Sequence, residues 1–401
     1  MHFQIGAFDM AKIIILGNLA ESLIAFRGRL LEEMVLKGHE VYACVPFYTE
    51  AIKNSVVAMG VKPLEVNFDR VGLNPFKDIK RMGRLIGTFK KIKPDVVLLY
   101  TIKPVVYGSI FSVLTKVPNV SSMITGLGSL FIGQDKKTKL LRKVVIQMYR
   151  AALKCNDLIF FQNQDDLNLF RELRIIKENK RTVVINGSGV DTRYFAQKDF
   201  PEELSFLMIA RLISDKGIRE YVEAARMLKK KDIQAKFYLV GILDGNPSAI
   251  KKAELEGWIK EGTIEFLGTL EDVRPAIANS CVYVLPSYRE GTPRTVLEAM
   301  AMGRPIISTD APGCRETVVE GVNGYLVPVK DVCALAAAME KFILNPPLIS
   351  HMGAASRKIA EEKYEVSKVN RVIMENLGLL PKKSLVGESG SPIPSPTHLC
   401  R

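Results

Sequence analysis

The sequence predicts an α/β protein made of two doubly wound, Rossmann-like domains facing each other across a cleft. Three observations carry this expectation. The chain has 401 residues, enough for two domains of ordinary size. Short β-branched runs alternate with longer helical periods, the pattern of βαβ units and parallel sheets. The pattern also occurs twice, on either side of a polar, unpatterned stretch, SGVDTRYFAQKDFPEE (188–203), which contains a proline.

In the first half the expected strands are AKIIILGN (11–18), VYACVP (41–46), DVVLLY (95–100), VSSMITG (120–126), DLIFFQN (157–163) and TVVING (182–187). In the second half they are LSFLMIAR (204–211), AKFYLVGI (235–242), TIEFLG (263–268), VYVLPS (282–287), PIISTD (305–310) and YLVP (325–328). These divide the chain into a first domain (10–190), a second domain (200–360), a C-terminal helix packing back on the first domain (361–380), and a disordered tail (381–401). The tail is rich in Ser, Pro and Gly and has no hydrophobic period. Residues 1–9 precede MAKIIILGN and read as an extension rather than part of the fold. The first apolar run is too short for an export signal, and the longest uncharged run, 117–134, is broken by Pro118, Asn119 and several serines and glycines. Neither a signal peptide nor a membrane span is expected.

The net charge of +13 is unevenly placed. Residues 77–154 hold 16 basic and 3 acidic residues, and residues 201–401 are nearly balanced. Such a region attracts anionic lipid, nucleic acid or a phosphorylated substrate, or is simply a solvated face. Nucleic acid is the poorest of these, since no helix-turn-helix, zinc spacing or aromatic-rich strand motif accompanies the charge. KDIKRMGRLIGTFKKIK (77–93) sets Ile79, Met82, Leu85, Ile86, Phe89 and Ile92 on one helical face. That helix either lies on an anionic inner-leaflet membrane surface or packs on the sheet with its cations outward. KKTKLLRKVVIQMYRAALK (136–154) leaves the same two readings.

Several chemistries are poorly supported. The six cysteines form no CxxC pair, which reads as reduced thiols in the cytosol. The four histidines accompany no nucleophile pattern, and no Asp-x-Asp pair is present to hold a metal against a nucleotide diphosphate. LGNLAES after the first strand has one glycine, too few for a dinucleotide fingerprint. No metal and no cofactor are expected.

YREGTPRTVLEAMAMG (288–303) carries more information. It follows a strand and opens a helix, with Thr292 as the expected N-cap, Pro293 at the first helical position and Gly303 as the stop. Glu290 then sits in the loop and Glu298 in the second turn. Free amides around 291–295 form an anion site strengthened by the helix dipole. The two glutamates either favour a helix start or grip hydroxyls on both sides of a bound anion, as a nucleotide sugar presents them. ARLISDKGI (210–218) places Arg211 and Lys216 at the end of a neighbouring strand, where two cations would neutralise a diphosphate.

YREGTPRTVLEAMAMGRPIISTDAPGCRETVVEGVNGYLVP (288–328) resembles the signature of glycosyltransferase family 4, which has the two-domain GT-B fold. Its hallmark is Glu, seven residues, Glu, here Glu290 to Glu298. ARLISDKGI and NGSGVDTRYF (186–195) resemble the family's cation pair and domain junction, and the resemblance spans roughly 11–375. It implies a retaining, metal-independent transfer from a nucleotide sugar. By this resemblance Glu290, Arg211 and Lys216 are catalytic: the cations hold the diphosphate and Glu290 grips the donor hexose. Glu298 would hold the ribose, the backbone of Gly291, Thr292, Arg294 and Thr295 the phosphates, and Leu267 would lie near the base.

LLYTIKPVVYGSI (98–110) and MITGLGSLFIG (123–133) resemble bacterial enzymes that extend undecaprenyl-diphosphate-linked saccharides in glycan or capsule assembly. That subgroup implies a UDP-sugar donor, an N-acetylhexosamine as the transferred sugar, a polyprenyl-diphosphate-linked acceptor, and a cytoplasmic protein peripheral on the inner membrane face. Lys103, Thr125 and Gly126 would face the acceptor side. A soluble acceptor such as a sugar phosphate is the alternative. The chain departs from many family members by having NLAESLIAFRG (18–28) in place of a glycine-rich loop and TGLG (125–128) in place of a cleft histidine.

Overall fold

The computed structural model describes residues 10–66, 68, 75–231, 233–243, 245–246 and 248–380. The extension (1–9) and the tail (381–401) lie outside the described residues.

The first domain holds strands β1 (Lys12–Leu16), β2 (Glu40–Val45), β3 (Lys62–Glu65), β4 (Val96–Tyr100), β5 (Asn119–Ile124), β6 (Leu158–Phe161) and β7 (Thr182–Val184). They form one sheet in the order β3-β2-β1-β4-β5-β6-β7, with every pairing parallel. Its helices are α1 (Ala20–Leu36), α2 (Glu50–Ala58), α3 (Pro75–Met82), α4 (Arg84–Ile92), α5 (Ser109–Leu114), α6 (Ser129–Ile132), α7 (Lys136–Lys154) and α8 (Gln164–Glu172). A strand buried on both faces reads as an unbroken apolar run, and its side chains still alternate. In β1, Ile14 and Leu16 join the core under α4, α5, α7 and α8, and Ile13 and Ile15 join the opposite core under α1 and α2.

The second domain has β8 (Ser205–Ile209), β9 (Lys236–Val240), β10 (Glu265–Phe266), β11 (Val282–Leu285), β12 (Ile306–Thr309) and β13 (Gly324–Val327), in the order β10-β9-β8-β11-β12-β13. Around them pack α9 (Ile218–Lys230), α10 (Lys252–Lys260), α11 (Arg274–Ala278), α12 (Arg294–Ala301), α13 (Val332–Leu344) and α14 (Pro347–Ile359). The chain then crosses back. α15 (Val366–Leu377) buries Val369, Ile373, Met374 and Leu377 in the α1 core of the first domain, and Asn370 donates to Glu33 at 3.0 Å. Val190 and Val366 bond each other's crossing segments: Val190 N donates to Tyr364 O at 2.8 Å and Val366 N to Val190 O at 3.0 Å.

All twelve strands expected from sequence are present. β3 is the addition: KPLE has no apolar run and holds a proline, which an edge strand tolerates. The stretch 77–93 is corrected. It forms two helices divided at Gly83, and Met82, Leu85 and Phe89 are fully buried against the sheet while Ile79 is exposed. Packing has taken the apolar face that a membrane would have used. On α7, by contrast, Leu140, Leu141 and Val144 are exposed beside Lys136, Lys137, Lys139 and Lys143. Among the described residues no single helix is long and apolar enough to cross a membrane.

Candidate active site

Each sheet reverses its strand order once, between β1 and β4 in the first and between β8 and β11 in the second. Loops leaving the carboxyl ends diverge at such a point and open a crevice. Here the two crevices face each other and enclose a cavity of about 680 Å³. Asn18, Thr101, Thr125 and Gln162 bring the first domain's loops to its wall.

From the second domain, Arg211 leaves the end of β8 and lines the cavity. A single turn, Ser214–Lys216, follows and closes at Gly217, whose φ is 75°. A Cβ at Gly217 would stand 2.1 Å from the Pro286 carbonyl oxygen, so the turn can lie on the exit of β11 only as glycine. Tyr288 N completes the contact by donating to Asp215 O at 2.9 Å. This register brings the Lys216 ammonium onto the Glu290 carboxylate, with both side chains mostly buried. From the other side, Glu290 N donates to Pro312 O at 2.9 Å.

The next residues touch the first domain directly. A Cβ on Gly291 would lie 2.4 Å from the Thr125 carbonyl oxygen, and one on Gly126 (φ 111°) would lie 2.9 Å from Gly291 N. Asn163 Nδ2 donates to Gly291 O at 2.8 Å, and Thr292 Oγ1 donates to Gln162 O at 2.9 Å. The Thr292 expectation is therefore corrected. Its hydroxyl serves the other domain, Pro293 is the N-cap with no side-chain bond, and α12 begins at Arg294. Proline's fixed φ suits the extended cap, here −72° and 110°. The first amides of α12 have no carbonyl in their own helix, and Pro293, Arg294 and Thr295 line the cavity.

Arg294 Nε donates to Glu298 Oε1 at 2.7 Å, and the guanidinium lies over the Phe26 ring at 5.5 Å. Glu298 is buried behind it. Burial pushes its carboxyl above the ordinary value, and Arg294 pulls the other way. Thr295 Oγ1 reaches Ile209 O at 3.4 Å. The wall thus carries Arg27, Arg211, Lys216 and Arg294 against the carboxylates of Glu290 and, set back, Glu298. A surplus of cations at a helix N-terminus favours an anion. Among the described residues no three His, Cys, Asp or Glu side chains converge as metal ligands would.

Two expected residues stand elsewhere. Leu267 follows β10 at the outer edge of the second sheet, is 39% exposed and does not line this cavity. Lys103 does not line the cavity. It is buried, and its ammonium donates to Asp78 at 2.7 Å, so the charge is answered inside the first domain. Asp78 is only 25 residues away in sequence, but nothing in the spacing tied it to Lys103.

Contacts between the domains were also hidden from sequence. Asp166 is buried and pairs with Arg289, and Arg315 reaches Asp165 at 2.6 Å. Asn163 also caps α8 by accepting from Asp166 N at 2.7 Å.

Comparison with known proteins agrees with this geometry. Residues 203–345 match the model for glycosyl transferases group 1, and residues 12–163 match that for glycosyl transferase 4-like domains. The chain is 31% identical over 336 residues to the N,N'-diacetylbacillosaminyl-diphospho-undecaprenol alpha-1,3-N-acetylgalactosaminyltransferase of Campylobacter jejuni, covering 80% of this chain and 86% of that one. It is 27% identical over 339 residues to the UDP-Gal:alpha-D-GlcNAc-diphosphoundecaprenol alpha-1,3-galactosyltransferase of Escherichia coli, covering 81% and 84%. The crystal structure of Anabaena HepE in complex with UDP superposes with a TM-score of 0.73 at 20% identity, covering 92% of this chain and 100% of that one. Paired switch points, a cation-rich helix start and these matches together place the chain in glycosyltransferase family 4, with the GT-B fold.

Proposed function

We propose that this glycosyltransferase moves a sugar, an N-acetylhexosamine, from a UDP donor to an undecaprenyl-diphosphate-linked saccharide in cell-surface polysaccharide or glycan assembly. The observation that carries the reading is the cavity itself: paired Lys216–Glu290 and Arg294–Glu298 at the start of α12, facing the first domain's crevice. The two relatives act, by name, on diphosphoundecaprenol-linked sugars, and one uses UDP-Gal.

In this reading the donor diphosphate lies against Arg211, Lys216 and the first amides of α12. Those groups stabilise charge as it develops on the leaving oxygen, and being fixed beforehand they need no reorganisation. Glu290 accepts hydroxyls of the donor sugar, and Glu298 those of the ribose. Transfer proceeds with retention and without a metal. The acceptor hydroxyl oxygen bonds to the anomeric carbon on the face from which the diphosphate departs. The bond to the diphosphate oxygen breaks, and that oxygen takes the hydroxyl proton, so UDP leaves with its charge balanced. The leaving group thus acts as the base.

Association with an anionic inner leaflet belongs to the same proposal. It is assigned to α7, where exposed leucines stand among lysines, with Val113 and Leu114 of α5 exposed nearby.

Incubation of the purified full-length chain with UDP-GlcNAc, UDP-GalNAc, UDP-Glc or UDP-Gal and synthetic polyprenyl-diphosphate-linked mono- and disaccharides tests the whole reading. The expected product is α-linked, forms from an N-acetylated donor, and persists in EDTA. Transfer only to a free sugar phosphate would replace the lipid-linked acceptor with a soluble one. A β-linked product would overturn retention.

A further inference from the structure

At the first domain's switch point stands a group of buried polar atoms that the proposed donor grip does not use. Arg27, on α1, is 3% exposed and lines the cavity. Its Nη1 donates to Phe26 O at 3.2 Å and its guanidinium lies over the Tyr100 ring at 5.7 Å, but its Nε has no hydrogen-bond partner. The Tyr100 hydroxyl, near Ser22 but outside hydrogen-bond geometry, and the Thr101 hydroxyl are likewise buried without partners. Both line the same cavity.

Backbone geometry marks the place as built. Tyr100 ends β4, and its ring crosses Gly17 so closely that a Cβ there would fall 2.2 Å from it. Thr101, a β-branched residue, is held at φ 69° in the left-handed region, where such residues are rare and cluster at functional sites. Burial without a carboxylate lowers the Arg27 guanidinium to about 10, and Arg294 across the cavity adds repulsion. A buried cation of this kind gains most from an anion, and a guanidinium sharing a cavity wall with two hydroxyls suits phosphoryl oxygens.

We propose that Arg27, Tyr100 and Thr101 form a phosphoryl-binding subsite, contributed by the first domain, for a phosphoryl group of one of the two diphosphate substrates. This rests on the transferase reading above. The second domain grips a diphosphate through Arg211 and Lys216, and the new subsite closes on a phosphoryl group from the opposite wall.

The test uses the full-length chain and the variants Arg27→Met, Arg27→Lys and Tyr100→Phe, with calorimetric titration of UDP and the KM for a polyprenyl-diphosphate-linked acceptor. Arg27→Met is expected to weaken one of these about tenfold or more while leaving the other nearly unchanged. Loss of UDP binding assigns the donor's phosphoryl group, and a raised acceptor KM assigns the acceptor's. Arg27→Lys should restore part of the loss, and Tyr100→Phe should weaken the same substrate about threefold. If Arg27→Met does not fold, Arg27→Lys and Tyr100→Phe decide alone. Both constants within twofold of the parent in every folded variant would overturn the subsite. A parent chain that transfers no sugar would instead overturn the reading on which the subsite rests.

Discussion

The two switch points face each other but hold their charge differently. In the second domain Lys216 is answered by Glu290 and Arg294 by Glu298. In the first domain Arg27 lies over an aromatic ring, with its Nε unbonded. Paired cations are held in place before any ligand arrives, because each is already bonded. Their carboxylates are also free to exchange a cation for sugar hydroxyls. The unpaired cation gives up little stabilisation when an anion binds, so the anion's contribution there is nearly all gain. The contrast extends outward: residues 77–154 carry most of the chain's excess positive charge, and the second half is nearly balanced.

The largest expected effect comes from breaking the paired side. Glu290→Gln and Lys216→Met should each lower turnover roughly 10²- to 10³-fold, measured as UDP release with acceptor present. Near-parental turnover in both would remove the donor-site assignment. A wedge between the domains should cost less. Gly291→Ala places a methyl 2.4 Å from the Thr125 carbonyl oxygen, and it should lower kcat/KM about 30-fold while the melting temperature stays close to that of the parent. A chain with unaltered kcat/KM would mean that the domains need not meet at this point during turnover. The smallest effect concerns the basic surface. Leu140→Ser with Leu141→Ser should cut binding to vesicles of anionic phospholipid about tenfold at low salt, with transfer to a short-chain soluble acceptor analogue unchanged. A parent chain that ignores such vesicles would break the comparison on its membrane side.

Much of this was legible in the chain. Continuous β-branched runs can be buried on both faces only in a covered parallel sheet, and that fixed twelve strands and two doubly wound domains. Glu290, Arg211 and Lys216 were legible because each follows directly from a strand end, so local order alone brings them to one rim. β3 escaped because an edge strand needs little hydrophobicity. The Lys103–Asp78 pair was hidden because a lysine after a strand looks the same whether it faces a cleft or a buried carboxylate. Arg27 and Tyr100 stand 73 residues apart in the sequence, and nothing in that spacing joins them.

Hydrophobic period, turn residues and strand-end charges act over a few residues, so the sequence specifies elements, domain class and the second domain's cavity-wall charges. Thr292 bonding to Gln162, Gly291 against Thr125, and the Arg27 pocket depend on where distant segments come to rest. Side-chain direction and domain approach are settled by packing across the whole molecule. Packing also turned the apolar side of residues 77–93 inward and left α7 as the exposed basic, leucine-bearing face.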